Sequence, residues 1–252
     1  MTRIAVCLAS YQGAAYIGEQ IGSILPQLFP GDKIYLSDDG SSDDTVALAK
    51  SLSDDVVVVA TSRAGGVVPN FERALAAAYA TGAEQFVLCD QDDVWLPGRL
   101  AQVRAALATA DMVLLNGMVV DAQLTPLGAT IADSIGVRHG FWRNLGKNSY
   151  IGCCMAFRRK VLDLALPFPR GIQWHDWYLG LLAERFFVIC RVQEPTMYYR
   201  RHGANHSPTG EKSRYGLAKK IGMRVTMLRA IRLASARRAA KRRTDPASIE
   251  VN

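Results

Sequence analysis

Short apolar runs and longer amphipathic segments alternate along the first half of the chain. Runs typical of buried strands lie at residues 3–9, 32–37, 56–60, 86–89 and 112–115. Between them, helices are predicted at residues 14–28, from Ser41 or Ser42 as N-cap through Leu52, from Pro69 onward, and from Pro97 to Leu107. Strands that alternate with helices in this way predict a doubly wound α/β fold with a mainly parallel sheet.

The alternation breaks after the fifth strand. Residues 117–150 are rich in glycine and polar residues, and they predict irregular structure or a short antiparallel excursion. Further along, the pattern predicts a helix at 174–185, a strand at 186–190 and an extended segment at 195–201. The predicted fold class is therefore α/β, with a small antiparallel portion added to the parallel sheet.

Acidic residues directly follow two of the predicted strands. Asp38 and Asp39 come after the second strand, and Asp90, Asp92 and Asp93 come after the fourth. The carboxyl ends of parallel strands line the edge at which open α/β sheets bind ligands, and hard divalent cations prefer carboxylate oxygens. Each loop alone is also explained by aspartate as a turn and cap residue. Together, the two loops predict a site for a cation and a phosphorylated ligand.

Charge divides the chain into two parts. The net charge is +7, but twelve Lys and Arg and no Asp or Glu lie between Lys212 and Arg243, which leaves residues 1–211 with a net charge of −3. Apolar residues recur at helical spacing in the same segment, at Leu217, Ile221, Val225, Leu228 and Ile231. We therefore predict one domain at residues 1–211 and a basic amphipathic helical tail at residues 212–252.

Several common kinds of site are missing from the sequence. No G-x-G-x-x-G follows the first strand, no P-loop is present, and neither acidic loop has the glycine and glutamate positions of an EF-hand. The five cysteines show no paired spacing, which is typical of a reducing, cytoplasmic compartment. No signal peptide is expected, and no apolar run reaches the ~18 residues that a membrane span needs.

The order of these motifs resembles the family 2 glycosyltransferases, which have the GT-A fold. The resemblance covers residues 3–206 and is carried by D-D-G-S-S-D-D-T at 38–45, Asp90-x-Asp92 and a later acidic residue before a helix. A bacterial rhamnosyltransferase-like branch is most similar at N-F-E-R-A-L (70–75), C-D-Q-D-D-V-W (89–95) and Y-R-R-H-G (199–203). The resemblance implies an inverting transfer from a nucleotide-diphosphate sugar, with dTDP-L-rhamnose as the favoured donor and a UDP-sugar as the alternative.

The resemblance also implies roles for individual residues. The donor side would consist of Ser10 and Tyr11 beside the base, Asp39 at the base and ribose, Asn70 near the nucleotide or sugar, Asp90 at the ribose, Gln91 at the sugar and Arg200 at the diphosphate. For Gln91, an ordinary loop glutamine is an equally good interpretation. Asp92 and His202 would hold Mg²⁺ or Mn²⁺, and the alternative for His202 is a structural histidine near a strand end.

Asp176 is the predicted catalytic base. An inverting transfer needs a carboxylate to take the proton of the acceptor hydroxyl, and Asp176 matches the family's acidic residue at a helix start. His175 stands where the family more often has glutamate, and because histidine titrates near neutrality it is the alternative base. The structural interpretation of Asp176 is a first-turn residue favoured by the helix dipole. Trp174 and Trp177 would offer apolar faces to a sugar or pack in the core.

The tail and two absent features bear on the acceptor and the location. The chain has neither the Gln-x-x-Arg-Trp motif nor the membrane spans of processive synthases, which favours addition of a single sugar. The basic tail predicts binding to anionic lipid at the cytoplasmic face of the cell membrane, where a glycan or lipid-linked glycan acceptor in cell-surface polysaccharide assembly would be met. A tail packed on the domain is the alternative, and nucleic acid is not an expected partner, because the tail lacks interleaved aromatic residues.

Two other hypotheses come from different classes of protein. A sugar-phosphate nucleotidylyltransferase also binds nucleotides on an α/β sheet, but residues 9–12 do not resemble its glycine-rich loop. A non-catalytic module at the membrane surface would explain the basic tail. The acidic residues Asp92 and Asp176 count against this second hypothesis, because a module without activity does not need them.

Overall fold

The computed structural model of the chain describes residues 2–201 and 215–244. The strands in these residues are β1 (Ile4–Ser10), β2 (Lys33–Asp38), β3 (Val56–Ala60), β4 (Gln85–Asp90), β5 (Val94–Trp95), β6 (Met112–Val120), β7 (Pro126–Thr130), β8 (Met155–Arg158) and β9 (Ile189–Arg200). The helices are α1 (Ile17–Ile24), α2 (Thr45–Leu52), α3 (Val67–Ala80), α4 (Arg99–Thr109), α5 (Ile131–Ile135), α6 (Phe141–Gly146), α7 (Arg159–Ala165), α8 (His175–Phe186) and α9 (Leu217–Thr244). Single 3-10 turns lie at Leu25–Gln27 and Gly152–Cys154.

The parallel part of the sheet aligns the strand ends that carry the acidic loops. The strands join in the order β3-β2-β1-β4-β8-β6-β9-β5, and β7 pairs with β6 beside this path. β1 pairs in parallel with both β2 and β4, and the register places Ser10 beside Asp38 and Ala9 beside Asp90. The carboxyl ends of these three strands therefore finish level with one another at one edge of the sheet.

The antiparallel part of the sheet is smaller. β8 pairs in antiparallel fashion with β4 and with β6, while β9 runs parallel to β6. The two-residue strand β5 and the strand β7 add further antiparallel pairs. The predicted class, a mainly parallel α/β sheet with a small antiparallel portion, is confirmed.

Apolar layers cover both faces of the sheet. On one face, α3, α7, α8 and α9 contribute to a single core, in which Phe71 and Leu75 of α3 are buried as their spacing predicts. On the other face, Ile17 and Ile21 of α1 are buried against the strands together with apolar residues of α4. Because β1 is covered from both sides, its five residues from Ile4 to Leu8 are at most 1% exposed.

The predicted basic tail forms the helix α9, which packs against α6, α7 and α8. Its buried residues, which belong to the same core as α8, are Met227, Ala230, Ile231 and Ala234. The first residues of the predicted apolar stripe, Leu217, Ile221 and Val225, face solvent. The second half of the helix therefore packs on the domain, whereas the first half leaves apolar side chains exposed. Of the helices in residues 2–201 and 215–244, none has the length and apolar character needed to cross a bilayer.

Some element boundaries differ from the predictions. α2 begins at Thr45 with Asp44 as its N-cap, rather than with Ser41 or Ser42. The reason is that Ser41 donates both its backbone N–H and its hydroxyl to the carboxylate of Asp38. The α3 helix begins two residues before Pro69, and α4 begins two residues after Pro97, so both prolines lie near helix starts as predicted.

The second half of the chain differs more. The fifth strand continues to Val120 and pairs with β7, so residues 117–150 contain the antiparallel excursion that was one of the two predictions. The strand predicted at 186–190 starts only at Ile189, because α8 runs through Phe186, and it then continues without a break to Arg200. The short elements β8 and α7 have no counterpart in the prediction.

Candidate active site

Asp38 organises the loop that follows β2. It is fully buried, and its Oδ1 accepts a hydrogen bond from Ser10 Oγ at 2.7 Å. The backbone N–H and the hydroxyl of Ser41 both donate to the same carboxylate at 2.6 Å. Ser10, predicted beside the nucleotide base, is thus a buried link between β1 and β2, and it fixes the direction in which both loops leave the sheet.

Asp39 holds the loop between β3 and α3 over the end of β2. Its carboxylate accepts hydrogen bonds from the backbone N–H groups of Ala64, Gly65 and Gly66. Gly65 and Gly66 have φ values of 92° and 123°, which favour glycine at this turn. Partial burial opposes ionisation, but these N–H groups and Arg73 outweigh it and lower the pKa of Asp39. The predicted base-contacting residue is therefore an ionised carboxylate that also shapes its own loop.

Asn70 and Arg73 tie α3 to the same edge. Asn70 Nδ2 donates to the carbonyl of Ser10 at 3.1 Å, and its Oδ1 accepts from Ser37 Oγ at 2.7 Å. Arg73 donates to the carbonyl of Asp38 at 2.9 Å and to Asn70 Oδ1 at 3.0 Å. The prediction gave Arg73 no role, although its position three residues after Asn70 on one face of a helix was the available signal. Asn70 acts as a buried brace of the nucleotide side.

Gln91 joins the acidic loop to the loop after β1. Its Nε2 donates to the carbonyl of Tyr11 at 2.9 Å, and its Oε1 accepts from the backbone N–H of Tyr11 at 2.8 Å. The side chain also lies so close to Gly13 that a Cβ atom there would be 2.2 Å from Gln91 Oε1. This geometry matches a loop-positioning glutamine, whereas the side chain of Tyr11 is exposed beside the cleft.

The acidic loop after β4 contains a compact group of candidate ligand atoms. Atoms of Asp90, Asp93 and Cys153 lie within 4.8 Å of one another. Asp93 is 1% exposed, and its Oδ2 has no hydrogen-bond partner among the described residues. Burial and the charge of Asp92 raise the pKa of Asp90 to about 7 and raise the pKa of Asp93 well above its usual value. These carboxylates repel one another in this structure.

The group fits a hard divalent cation through its oxygen atoms. A cation would relieve the repulsion between carboxylates and would give the orphaned Oδ2 of Asp93 a partner. The Cys153 thiol does not suit such an ion, because its contact with Cys154 and its burial raise its pKa and keep it protonated. Asp92 lies on the same loop but outside this compact group, and His202 lies outside the described residues. The sequence gave no signal for Cys153, which reaches the loop from another part of the chain.

Arg200 fastens the acidic loop to the rest of the fold. It is 4% exposed, its Nε donates to the carbonyl of Asp92 at 2.9 Å, and its Nη1 donates to the carbonyl of Ala122 at 2.5 Å. Its guanidinium also forms an ion pair with Glu19 of α1, and its backbone N–H donates to Asp93 Oδ1 at 3.2 Å. The predicted diphosphate contact is thus a buried strut between β9, α1 and the loop.

Asp176 faces the acidic loop from the start of α8. Its charge is close enough to raise the pKa of Asp90, which places both carboxylates in one cleft. The backbone N–H of Trp177 donates to Asp176 Oδ1 at 2.6 Å. Burial raises the pKa of Asp176 to about 7, although hydrogen bonds from Trp177 and from the side chain of Asn148 act in the opposite direction. The position at a helix N-terminus alone would lower this pKa, so burial in the cleft dominates.

His175 has a different environment from its neighbour. It is 5% exposed, and its ring stacks on Phe71 with the centroids 4.2 Å apart. Neither ring nitrogen has a hydrogen-bond partner among the described residues, and burial lowers the pKa of His175 to about 3. The expectation that His175 titrates near neutrality is therefore wrong, because water cannot solvate the charged ring. A neutral imidazole of such low basicity is a poor proton acceptor.

The two tryptophans beside the base belong mainly to the core. Trp177 is 3% exposed, and its indole N–H donates to the carbonyl of Asn144 at 2.8 Å. Trp174 is half-buried and packs against the same core. Of the two predicted interpretations, core packing describes Trp177, and Trp174 retains a partly open face.

Comparison with known proteins gives the chain relatives of one kind. The family described as Glycosyl transferase family 2 matches residues 5–164. The dTDP-rhamnosyl transferase RfbG of Shigella flexneri is 25% identical over 234 residues, which cover 84% of this chain and 79% of RfbG. The chain spans between 66% and 79% of the length of three curated relatives that it matches, all of them glycosyltransferases by name.

Solved structures with similar folds include two sugar transferases with bound donors. The structure of S. aureus TarS 1-349 in complex with UDP-GlcNAc has a TM-score of 0.61 at 18% identity, and the match covers 82% of this chain and 60% of that one. The mannosyltransferase PcManGT from Pyrobaculum calidifontis, in complex with GDP-Man and Mn²⁺, has a TM-score of 0.57 at 17% identity, with coverage of 96% and 75%. The fold is that of the GT-A glycosyltransferases.

Proposed function

Because the chain belongs to glycosyl transferase family 2, we propose that it transfers one sugar from a nucleotide-diphosphate sugar to a glycan or lipid-linked glycan. The transfer inverts the anomeric carbon and serves the assembly of a cell-surface polysaccharide. One observation supports this proposal most directly: Asp176 faces Asp90 across a cleft at the sheet edge where β1, β2 and β4 end. A base opposite a cation site is the arrangement that an inverting transfer needs.

The proposed donor lies along the edge built by β1, β2 and α3. Asp39 is the only residue of this edge described above that combines an ionised carboxylate with partial exposure, so it is the proposed contact for the base and ribose. Ser10, Asn70 and Gln91 act as positioning residues, since their polar groups already bond to neighbouring loops. The favoured donor is dTDP-L-rhamnose, with a UDP-sugar as second choice, and the name of RfbG supports this order.

The chemistry of the proposed step balances with Asp176 as base. The acceptor hydroxyl oxygen forms a bond to the anomeric carbon on the face opposite the diphosphate. The bond between the anomeric carbon and the diphosphate oxygen breaks, and its electron pair leaves with the diphosphate. The hydroxyl proton passes to a carboxylate oxygen of Asp176, whose raised pKa makes it a stronger base than an exposed aspartate.

The residues proposed to hold Mg²⁺ or Mn²⁺ are those of the acidic loop, with Asp92 first among them and His202 as a further ligand. When bound, such a cation supplies charge stabilisation to the departing diphosphate. Arg200 keeps the loop in place by binding the carbonyl of Asp92 rather than by meeting the diphosphate itself. Asp90 is the proposed contact to the ribose or to the shell around the cation.

The acceptor and the location are part of the same proposal. A lipid-linked glycan at the cytoplasmic face of the cell membrane is a suitable acceptor for a chain whose charge is concentrated in α9 and the residues around it. The enzyme would then be a peripheral membrane protein.

Release of nucleoside diphosphate from a panel of donors tests the proposal. The panel contains dTDP-L-rhamnose, UDP-glucose, UDP-GlcNAc and GDP-mannose, each with Mn²⁺, with Mg²⁺ and with EDTA. We expect turnover of one donor with a divalent cation, loss of turnover in EDTA, and recovery when the cation is restored. If no donor is turned over or bound in a cation-dependent way, the proposal is wrong, and release of pyrophosphate from a nucleoside triphosphate would favour a nucleotidylyltransferase instead.

A matched pair of variants assigns the cation dependence to the acidic loop. Asp92→Asn should reduce turnover by about 10²-fold or more and shift the Mn²⁺ requirement to higher concentration, since one carboxylate ligand is lost. Asp54→Asn removes an equal charge from an exposed loop after α2 and should leave both quantities unchanged.

A further inference from the structure

An exposed apolar surface lies where α6 meets the beginning of α9. Trp142 of α6 is 74% exposed, and the exposed fractions of Leu217, Ile221 and Val225 in α9 are 76%, 53% and 38%. Large apolar side chains that cluster on the surface of a protein mark a site of interaction. We name these four residues and the basic residues around them the α6–α9 surface.

The two helices form one continuous surface because they are in direct contact. Arg224 donates to the carbonyl of Gly146 at the end of α6, so the side of α9 that carries Arg224 faces α6. Ile221 precedes Arg224 by three residues, and Leu217 precedes Ile221 by four, so these side chains line the same side of the helix. The apolar row of α9 therefore borders α6, on which Trp142 projects into solvent.

The charge of this surface has one sign. No Asp or Glu occurs from Ser134 to Leu162 or from Leu217 to Thr244, which are the two segments that build it. The basic residues of α6 and its flanks and of the first turns of α9 are Arg138, Arg143, Lys147, Lys219, Lys220 and Arg224. An exposed tryptophan and aliphatic row surrounded by cations is complementary to a layer with anionic headgroups above an apolar interior.

We propose that the α6–α9 surface binds the chain to a bilayer that contains anionic phospholipid. Trp142 and the row of Leu217, Ile221 and Val225 enter the headgroup region, and the basic residues contact lipid phosphates. This inference extends the notion of a basic tail, because a second element contributes the aromatic anchor. It rests on the proposed function only for the purpose of the binding, since attachment to lipid is measurable without any sugar transfer.

The surface lies next to the acceptor side of the cleft. The chain leaves α6 at Gly146 and reaches Asn148 two residues later, and the side chain of Asn148 is a hydrogen-bond partner of Asp176. A bilayer bound at Trp142 would thus be separated from the base by the short segment that follows α6. A sugar carried on a membrane lipid would approach Asp176 from this side.

Co-sedimentation of the full chain with vesicles tests the proposal. Vesicles of phosphatidylcholine alone are compared with vesicles of phosphatidylcholine mixed with phosphatidylglycerol, at low and high NaCl. We expect binding to the anionic vesicles only, and weaker binding at high salt, because screening reduces the attraction between lysine or arginine and lipid phosphate. Equal binding to both vesicles, or to neither, would overturn the proposal.

Variants locate the binding on the surface. Arg143→Gln/Lys147→Gln should weaken anionic vesicle binding about 25-fold, at about fivefold per basic residue. Lys33→Gln/Lys50→Gln removes the same charge from β2 and α2, on the far half of the sheet, and should change the binding at most about twofold. Trp142→Ala should weaken it about tenfold without altering donor hydrolysis in the absence of vesicles. Similar losses in both double variants would show that net charge, and not this surface, governs binding.

The wild-type chain offers a test that does not depend on any variant. Trp95 and Trp177 are buried, Trp174 is half-buried, and Trp142 is largely exposed, so quenching by brominated lipid reports mainly on Trp142. We expect quenching with brominated anionic vesicles. Vesicle binding without quenching would overturn the proposed orientation. Formation of a stable dimer in solution with no affinity for vesicles would show that a second copy, and not lipid, covers the surface.

Discussion

At the scale of single residues, the cleft concentrates carboxylates that lack cations of their own. Asp90 and Asp176 both have a pKa of about 7, and the pKa of the nearby Asp93 is raised as well. Burial is the first cause in each case, and neighbouring negative charge adds to it for Asp90 and Asp93. Such a cluster is poorly suited to stability and well suited to binding a divalent cation and accepting a proton.

The raised pKa of Asp176 predicts the pH dependence of turnover. The base must be ionised, so kcat/KM for transfer should rise with pH through about 7 and level off above it. The charged or titratable groups to consider are Asp90, which faces Asp176 across the cleft, and His175, its neighbour on α8. Initial rates over a pH series at saturating Mn²⁺ measure the profile. A flat profile across this range would contradict the role of Asp176.

Two substitutions separate Asp176 from His175 as the base. Asp176→Asn should lower kcat about 10³-fold and leave donor affinity within a few fold, because only the proton acceptor is lost. His175→Gln keeps a neutral polar side chain in the stack on Phe71, so the pH profile should keep its midpoint. Loss of the pH dependence in His175→Gln, with Asp176→Asn still active, would reverse the assignment.

At the scale of elements, α9 has two halves with different surroundings. The second half supplies Met227, Ala230, Ile231 and Ala234 to the core shared with α8, and the first half is the exposed apolar row. A division into a domain at 1–211 and a separate tail at 212–252 therefore stays a prediction about how independently these parts behave.

A pair of substitutions in α9 measures how much the helix stabilises the domain. Met227→Ala should lower the free energy of unfolding by about 2–4 kcal/mol, because it opens a cavity at a fully buried position between α9 and α8. Leu233→Ala, at a position that is 45% exposed on the same helix, should change it by no more than about 0.5 kcal/mol. Urea unfolding of both variants gives the two values. Equal, small losses would mean that the tail is an independent unit.

The elements that the sequence predicted well are those with strong local patterns. β3 has the predicted bounds, and β1, β2 and β4 are each displaced by one residue at their ends, because a fully buried strand is a continuous apolar run. β8 and α7 were missed because four and seven residues are too few to show a period. Their positions depend on pairing with distant strands, which no local pattern reveals.

At the scale of the whole molecule, the cleft reduces the stability of the fold at neutral pH. The pKa of Asp176 is raised in the folded state, so between pH 4 and 7 the native chain holds a proton that the unfolded chain has lost. The free energy of unfolding therefore falls as pH rises through this window. The same holds for Asp90, and a bound cation would oppose the effect.

This linkage predicts that an inactive variant is more stable than the wild type. Asp176→Asn should match the wild type near pH 4 and exceed its free energy of unfolding by ~2 kcal/mol near pH 8, because the amide does not ionise. Unfolding by urea at both pH values, in EDTA, measures the difference. A variant that is less stable at both pH values would show that Asp176 is a structural residue of the helix start.

The site was predicted in position but less well in detail. The acidic loops and Asp176 could be found because carboxylates at strand and helix ends are visible in the sequence. The tasks of Gln91 and Arg200 could not, since a side chain that binds Tyr11 or the carbonyl of Asp92 looks the same in the sequence as one that binds a ligand. The contribution of Cys153 depends on how β8 approaches β4, which is a property of the whole sheet.

The contacts of Arg200 also have a consequence for the order in which the protein is made. This one side chain, near the end of β9, fastens Glu19 of α1 and the carbonyls of Asp92 and Ala122, all of which leave the ribosome much earlier. During synthesis the nucleotide side can form while the acidic loop still lacks its strut. We therefore expect a nascent chain to remain inactive until β9 has emerged, so that no donor is consumed by an unfinished enzyme.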